Sequence, residues 1–120
     1  MSSGTCWIQK DVIIIELDEK ILIIIATEPQ RQNAEKLAKF ILEKKLASCI
    51  SLKEINSSYF WEGTIENSDE IEITIKSTIE KKEILIGLLK EKLSNELPQI
   101  IFKEFNSELN YFKWIKSNVN

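Results

Sequence analysis

Two runs of β-branched and aromatic residues in the middle of the chain constrain its fold most strongly. They occupy residues 58–66 and 70–76 and flank the polar tripeptide Asn67-Ser68-Asp69, which has the composition of a turn. Two such runs around a turn are typical of a β-hairpin. The sequence therefore predicts a long hairpin with its turn at residues 67–69.

The alternation of side chains also predicts which residues face each other across this hairpin. A loop of about three residues would set Ile65 opposite Ile71, so that apolar groups share one face. It would also set Trp61 opposite Ile75. Phe60 would then lie on the other face, which leaves large apolar groups on both sides. A small monomer cannot cover both, and exposed apolar patches usually mark an interface, so we expect an oligomer.

Composition limits the class of protein. The chain has 120 residues, a formal charge of −3 and 43% hydrophobic residues, as one soluble globular domain has. It lacks the excess of Lys and Arg that nucleic-acid binding needs. The apolar run 21–26 is too short to cross a membrane, and no signal peptide is evident, so we expect a cytoplasmic protein. The chain has no histidine, which removes the commonest metal ligand and general base.

The order of predicted elements is β-α-β-β-α-β followed by a terminal helix, which indicates an α+β, ferredoxin-like sandwich. Pro29 suits the first turn of the first helix, and Ser77-Thr78-Ile79-Glu80 has the spacing of a capping box for the second. Residues 54–56 are expected to interrupt the strand before the hairpin, and Ser107 is expected to cap the last helix. Residues 1–20 form a predicted N-terminal extension, in which residues 12–17 are an added edge strand or an oligomer contact, and residues 21–120 form the domain.

Five short segments, taken together in their order along the chain, resemble the divalent-cation tolerance (CutA) family. The central signature is Tyr59-Phe60-Trp61-Glu62-Gly63 with Ile75-Lys76-Ser77-Thr78. The other segments are Ala26-Thr27-Glu28-Pro29, Lys45-Leu46-Ala47-Ser48-Cys49-Ile50, Glu96-Leu97-Pro98 and Tyr111-Phe112-Lys113-Trp114-Ile115. The resemblance covers residues 21–117. It implies a homotrimer whose long hairpins extend one sheet into the next subunit, and a non-enzymatic role in the response to divalent metal ions.

The resemblance also identifies positions where metal ligands are proposed in the family. In this chain these positions hold Ala26, Lys92-Leu93 and Gln99, none of which is the expected Cys, His or Glu. Direct copper chelation is therefore not expected, and no cofactor is assigned beyond a weakly bound divalent cation. Candidate ligands for such a hard cation are Glu66, Asp69 and Glu70 on the hairpin. The alternative is that these carboxylates form a solvated face or pair with lysines of a neighbouring subunit.

A second candidate site is a ligand cleft between subunits of the implied trimer. Its residues are Trp61, Lys76, Glu96, Tyr111 and Trp114. A lysine between aromatic walls and a carboxylate could receive a small anionic ligand. Alternatively, the aromatic residues are core and Lys76 pairs with a carboxylate. Cys49 is interpreted as a small buried hydrophobe.

Three other functions compete with a role in cation tolerance. A small-molecule-sensing signalling trimer, with ligand clefts between subunits, is the principal alternative. An RNA-binding domain of the same element order would need basic residues on the open sheet face, and the hairpin is acidic. An acylphosphatase-like enzyme would need a phosphate-binding loop with an arginine. The only arginine is Arg31, which has no glycine loop beside it.

Overall fold

The chain adopts the predicted order of elements in a computed structural model that describes residues 19–120. The bounds are β1 (Lys20–Glu28), α1 (Arg31–Glu43), β2 (Cys49–Trp61), β3 (Thr64–Ser77), a 3-10 turn (Ile79–Lys81), α2 (Lys82–Lys92), β4 (Ile100–Asn106) and α3 (Leu109–Ser117). The predicted edge strand over residues 12–17 lies outside the described residues, as does nearly all of the predicted N-terminal extension.

The four strands form one antiparallel sheet in the order β2-β3-β1-β4. This order, with a helix after β1 and another after β3, is the predicted ferredoxin-like arrangement. Strand β1 lies in the interior of the sheet and pairs with β3 on one side and β4 on the other.

The two longer helices cover one face of this sheet, and α3 lies on the other. Leu22, Ile24 and Ala26 on one side of β1 have no exposed surface, and they share a core cluster with residues of both α1 and α2. The side chain of Lys76 alternates with buried Ile75, so it points away from that core, and it contacts Tyr111 of α3. Alternation along the strands therefore determines which helix meets which face.

The central hairpin exists, but its turn is not where the sequence analysis placed it. Strands β2 and β3 meet at Glu62-Gly63, with Trp61 opposite Thr64. Both turn residues have positive φ, 50° and 84°, as a two-residue type I′ turn requires, and Gly63 adopts such a φ without strain. The predicted turn at residues 67–69 is wrong, because these residues continue β3 without interruption.

The predicted register is wrong for the same reason. Ile65 lies opposite Phe60, Ile71 lies opposite Glu54, and Ile75 lies opposite Ile50. The observed turn, Glu62-Gly63, has two residues and comes earlier in the sequence than the predicted one. Each residue of β3 therefore pairs with an earlier residue of β2 than expected. One consequence is a much longer two-stranded arm.

The polar residues that suggested a turn and a break are instead paired with one another across the strands. The side-chain amide of Asn56 donates to Asp69 Oδ1 at 2.9 Å, and the amide of Asn67 donates to Asn56 Oδ1 at 2.8 Å. Asn67 also donates to Ser58 Oγ at 2.9 Å. Because these bonds use the polar side chains, the residues are accommodated in continuous strands. The predicted break at residues 54–56 does not occur.

The predicted helix starts also need correction. Helix α1 begins at Arg31 with Gln30 as its N-cap, so Pro29 precedes the cap and does not lie in the first turn. The capping box at residues 77–80 is not formed, because the buried Ser77 hydroxyl donates to the Leu46 carbonyl at 2.6 Å. A short 3-10 turn precedes α2 instead.

Helix α3 is capped by Glu108 and not by Ser107. The Glu108 carboxylate accepts from the backbone N–H groups of Asn110 and Tyr111 at 2.9 and 3.1 Å. These two hydrogen bonds lower the pKa of Glu108 below its ordinary value.

The two glycines of the described chain with open space around them offer a matched test of the turn. A Cβ added at Gly63 or at Gly87 would meet no heavy atom within 4 Å, so neither change creates a clash. Gly63→Ala is expected to lower the free energy of unfolding by about 1 kcal/mol, because alanine is strained at positive φ. Gly87→Ala in helix α2 is expected to raise it by about 0.5–1 kcal/mol. Urea denaturation measures both, and a stabilising Gly63→Ala would contradict the turn.

Candidate functional site

An open cleft lies between the far half of the hairpin and the segment that joins α2 to β4. We call it the hairpin cleft, and its volume is about 680 Å³. One wall is formed by both hairpin strands and the other by residues 95–99. The lining residues are Thr27, Ser57, Ser58, Tyr59, Phe60, Trp61, Glu66, Glu70, Asn95, Glu96, Leu97 and Gln99.

The hairpin cleft combines aromatic surface with negative charge. Tyr59 and Trp61 alternate along β2 and so lie on one face of the hairpin, with Tyr59 opposite Glu66. The Tyr59 hydroxyl lies 3.2 Å from Ser68 Oγ, and Thr64 Oγ1 donates to Glu66 Oε2 at 3.1 Å. Apart from Tyr59, the ionisable residues that line the hairpin cleft are three glutamates, and no lysine or arginine lines it. In the described chain, therefore, this cleft suits a cationic group better than an anion.

A second group of predicted site residues lies at the opposite end of the hairpin, and we call it the basal aromatic cluster. It consists of Lys76, Tyr111 and Trp114. The Lys76 ammonium lies 5.8 Å from the centre of the Tyr111 ring, within cation–π range. Tyr111 and Trp114 are stacked, with ring centres 5.8 Å apart and planes at 24°. Their exposed faces leave the cluster open to solvent.

The five residues predicted to form one ligand cleft therefore fall into two groups within a single chain. Trp61 and Glu96 line the hairpin cleft, and Lys76, Tyr111 and Trp114 form the basal aromatic cluster. Lys76 lies opposite Cys49, at the far end of β2 from Trp61. At about 3.3 Å per residue, the twelve steps of that strand span about 40 Å. One chain alone does not bring the five residues together.

The three candidate cation ligands do not converge either. Glu66 and Glu70 lie four residues apart on one face of β3, about 13 Å along the strand, and Asp69 points to the other face. Glu66 and Glu70 lie opposite Tyr59 and Ile55, so they do not face each other across the hairpin. Within residues 19–120, no group of three or more Cys, Asp or Glu side chains is placed to hold a metal ion. Cys49 is only partly buried, not the fully buried hydrophobe that was expected.

A buried carboxylate that the sequence analysis did not single out lies beside the hairpin cleft. Glu28, the last residue of β1, has no exposed surface. It accepts hydrogen bonds from the backbone N–H groups of Gln30 at 3.0 Å and Ser94 at 2.8 Å, and from the Asn33 amide at 2.9 Å. Burial alone would raise the pKa of Glu28, but these hydrogen bonds outweigh it and hold the pKa below the ordinary value.

The sequence carried one weak signal for this residue. An acidic side chain just before a helix is a common capping arrangement, and Glu28 stands two residues before the N-cap of α1. Its donors Asn33 and Ser94 come from two separate parts of the chain, and Ser94 is 66 residues away.

Comparison with known proteins identifies the family of this fold. The model of the CutA1 divalent ion tolerance protein family matches residues 22–118. The divalent-cation tolerance protein CutA of Salmonella newport (strain SL254) is 27% identical over 100 residues, which are 82% of this chain and 87% of that protein. The chain belongs to the CutA1 divalent ion tolerance protein family, and the resemblance seen in the sequence is confirmed.

Solved structures agree with this assignment. The periplasmic divalent cation tolerance protein CutA from Archaeoglobus fulgidus has a TM-score of 0.79 and 32% identity, over 83% of this chain and 99% of that one. CutA from Synechococcus elongatus PCC7942 has a TM-score of 0.80 and 26% identity, over 85% and 92% of the two chains. The ferredoxin-like fold is thus shared across the described domain. None of the helices in residues 19–120 is long and apolar enough to cross a membrane.

The dispersed carboxylates generate a prediction about metal affinity. Calorimetric titration of the full chain with copper and with zinc is expected to show no binding tighter than about millimolar, roughly 4 kcal/mol. Cys6 lies outside the described residues, so a Cys6→Ser variant is titrated in parallel as a control. Micromolar binding that persists in this variant would contradict the prediction, and Cys49 and the hairpin carboxylates would be mutated next.

Proposed function

We propose that this protein acts in the response to divalent metal ions as a non-enzymatic homotrimer. Membership of the CutA1 divalent ion tolerance family is the observation that carries the proposal. The hairpin carboxylates are dispersed and the positions of the family's proposed ligands hold other residues, so the role we propose does not depend on direct copper chelation. A cytoplasmic location is part of the same proposal, although the Archaeoglobus relative is described as periplasmic.

Exposed apolar side chains at the hairpin tip support the assembly. Phe60 and Ile65 face each other across the tip and are 77% and 73% exposed. Together they form an apolar knob that the described chain does not cover. Burying a large apolar side chain gains about 1.5–3 kcal/mol, so a partner surface that covers this pair would bind with substantial energy.

Unpaired strand edges support it further. Strand β1 ends opposite Ile71, so among the strands that the structure describes, the part of β3 beyond it, residues 64–70, pairs only with β2. Within residues 19–120, strand β4 pairs with β1 alone, and it carries Ile101 and Phe105, which are 55% and 43% exposed. Edges of this kind pair with other chains unless they are protected. In a trimer in which the hairpin of each subunit pairs with a neighbouring subunit, both the edge of β3 and the edge of β4 would be covered.

The two separate groups of site residues support a ligand cleft between subunits. In the proposed trimer, the hairpin cleft of one subunit, with Trp61 from the hairpin and Glu96 from the segment that joins α2 to β4, lies against the basal aromatic cluster of a neighbour. The hairpin cleft of one chain carries three glutamates and does not suit an anion, so a small anionic ligand would depend on the Lys76 ammonium that the neighbour supplies, with aromatic walls to hold it. Sensing of a small molecule is therefore the second candidate function, favoured by the size of the hairpin cleft.

The absence of a catalytic role is also part of the proposal. Arg31 donates to Glu54 at 2.7 Å and to Glu35 at 3.5 Å. Its guanidinium is thus occupied by two carboxylates, which argues against the phosphate-binding role that an acylphosphatase-like enzyme would need.

The first test is the mass of the assembly and its dependence on the apolar knob. Light scattering on the purified protein is expected to give three times the mass of one chain. Phe60→Asp is expected to shift the mass toward the monomer, because it places a charge where apolar contact is proposed. Ile84→Asp, at a 52% exposed position on α2, is the matched control and is expected to leave the mass unchanged. A monomeric wild-type protein would refute the trimer.

The second test asks whether assembly joins the two groups of site residues. The stabilities of Trp61→Phe, Tyr111→Phe and the double variant are measured by denaturation at one protein concentration. Residues about 40 Å apart in one chain should be additive within about 0.5 kcal/mol. Contact between neighbouring subunits is expected to produce a coupling energy above that value. Strict additivity in a protein shown to be trimeric would remove the proposed intersubunit cleft and leave the trimer intact.

A further inference from the structure

We propose that Glu28 is a positioning residue of the hairpin cleft: its buried carboxylate holds residues 94–99, one wall of the cleft, against the end of β1. This inference rests on the proposed function only for the use of the cleft. The contacts themselves lie within one chain and do not depend on the trimer or on a ligand.

The carboxylate of Glu28 joins three parts of the chain. Its Oε2 atom accepts from the N–H of Gln30, at the start of α1. Its Oε1 atom accepts from the N–H of Ser94 and from the side-chain amide of Asn33. Both oxygens are therefore used as acceptors, and three donors converge on one buried group. An ionised carboxylate satisfies this arrangement, because it carries no proton of its own.

Asn33 extends the same contacts to the end of α2. Its side-chain amide donates to the carbonyl of Lys92 at 3.1 Å and to Ser94 Oγ at 3.3 Å, as well as to Glu28. The amide of Asn95 donates to the Thr27 carbonyl at 3.4 Å. Residues 92–95 are thus tied to β1 and α1 through side chains.

The segment has little other support. In the described part of the chain, no backbone-to-backbone hydrogen bond outside the helices and strands involves residues 94–99. Leu97 is 75% exposed, so the middle of the segment contributes little to the core. A segment with few backbone hydrogen bonds and little buried surface opens easily unless side chains hold it. The contacts of Glu28 and Asn95 are therefore the main restraints on this wall of the cleft.

Hydrogen bonds, and not a neighbouring cation, keep Glu28 charged. The charged residues of the two helices beside it are Arg31, Glu35, Lys36, Lys39 and Glu43 on α1 and Lys82, Glu83, Lys90, Glu91 and Lys92 on α2, and Glu96 lies in the cleft wall. Arg31 pairs with Glu54 and Glu35, and the Lys92 ammonium lies 3.6 Å from Glu91. None of the ion pairs within residues 19–120 includes Glu28. Loss of one or more of these hydrogen-bond donors would therefore make the ionised form of Glu28 less stable.

Glu28→Gln tests the role with little change in size. The glutamine places an N–H₂ group where a carboxylate oxygen accepts, so one donor in the protein meets another donor. Glu108→Gln is the matched control, because Glu108 also accepts from two backbone N–H groups but lies at α3. Amide hydrogen exchange by NMR on the full chain is the measurement. Exchange at Ser94 is expected to rise at least tenfold in Glu28→Gln and to stay unchanged in Glu108→Gln.

The two tryptophans of the described chain give a second readout. Trp61 lines the hairpin cleft, and Trp114 belongs to the basal aromatic cluster. The indole N–H signal of Trp61 is expected to shift in Glu28→Gln and that of Trp114 in Glu108→Gln. A loss of stability alone, without movement of the cleft wall, would not give this pattern.

The wild-type protein provides a test that needs no variant to fold. As pH falls, the amide signals of Ser94 and Gln30 are expected to titrate together, with a midpoint below the ordinary Glu value of about 4.3. Because the pKa of Glu28 in the folded protein is depressed, its hydrogen bonds are intact at the ordinary Glu value. They are lost only when the pH falls through the lower pKa of the folded state. A midpoint at or above 4.3 would overturn the proposal, as would unchanged exchange at Ser94 in Glu28→Gln. Light scattering on the same samples reports the trimer separately, so the two proposals can fail independently.

Discussion

The burial of strand β1 is the constraint on which the rest of the structure depends. Its backbone pairs with β3 and β4, and Leu22, Ile24 and Ala26 pack without exposure against both long helices. Alternation along β1 and its neighbours then decides which residues face the helices and which face α3. Its last residue, Glu28, lies on the same side as those core residues and organises the cleft wall. The same strand, β1, therefore contributes both to the core and to the contacts of one wall of the candidate site.

Much of the fold was predictable because its signals are local and periodic. The first helix and the strand with alternating isoleucines each depend on residues within one element, and both were correctly predicted as a helix and a strand. The position of the turn was missed because Asn67-Ser68-Asp69 has a turn's composition. Its polar groups are instead satisfied across the strand by Asn56 and Ser58, which are remote in sequence. The Glu62-Gly63 pair was the competing signal, and its glycine meets the demand for positive φ.

The candidate site was predictable only where the family resemblance reached it. Lys76, Tyr111 and Trp114 do come together, yet neither composition nor spacing would have grouped residues from β3 and α3. Glu28 could not be found in this way. Glutamate is almost never fully buried unless it is paired, and one of the donors that permit its burial, the N–H of Ser94, is 66 residues away in the chain. A buried polar group of this kind becomes visible only when its partners are known.

The shape of the chain links the fold to the proposed function. The described residues extend over 60 × 32 × 22 Å, and much of that length is the two-stranded arm beyond Ile71. Two-stranded hairpins are only marginally stable in water, and this one ends in the exposed pair Phe60 and Ile65. The amide ladder of Asn56 and Asn67 supports the arm internally without covering its apolar tip. The proposed assembly would supply that cover and would also bring Trp61 to a second chain's Lys76, so one contact would stabilise the arm and complete the cleft.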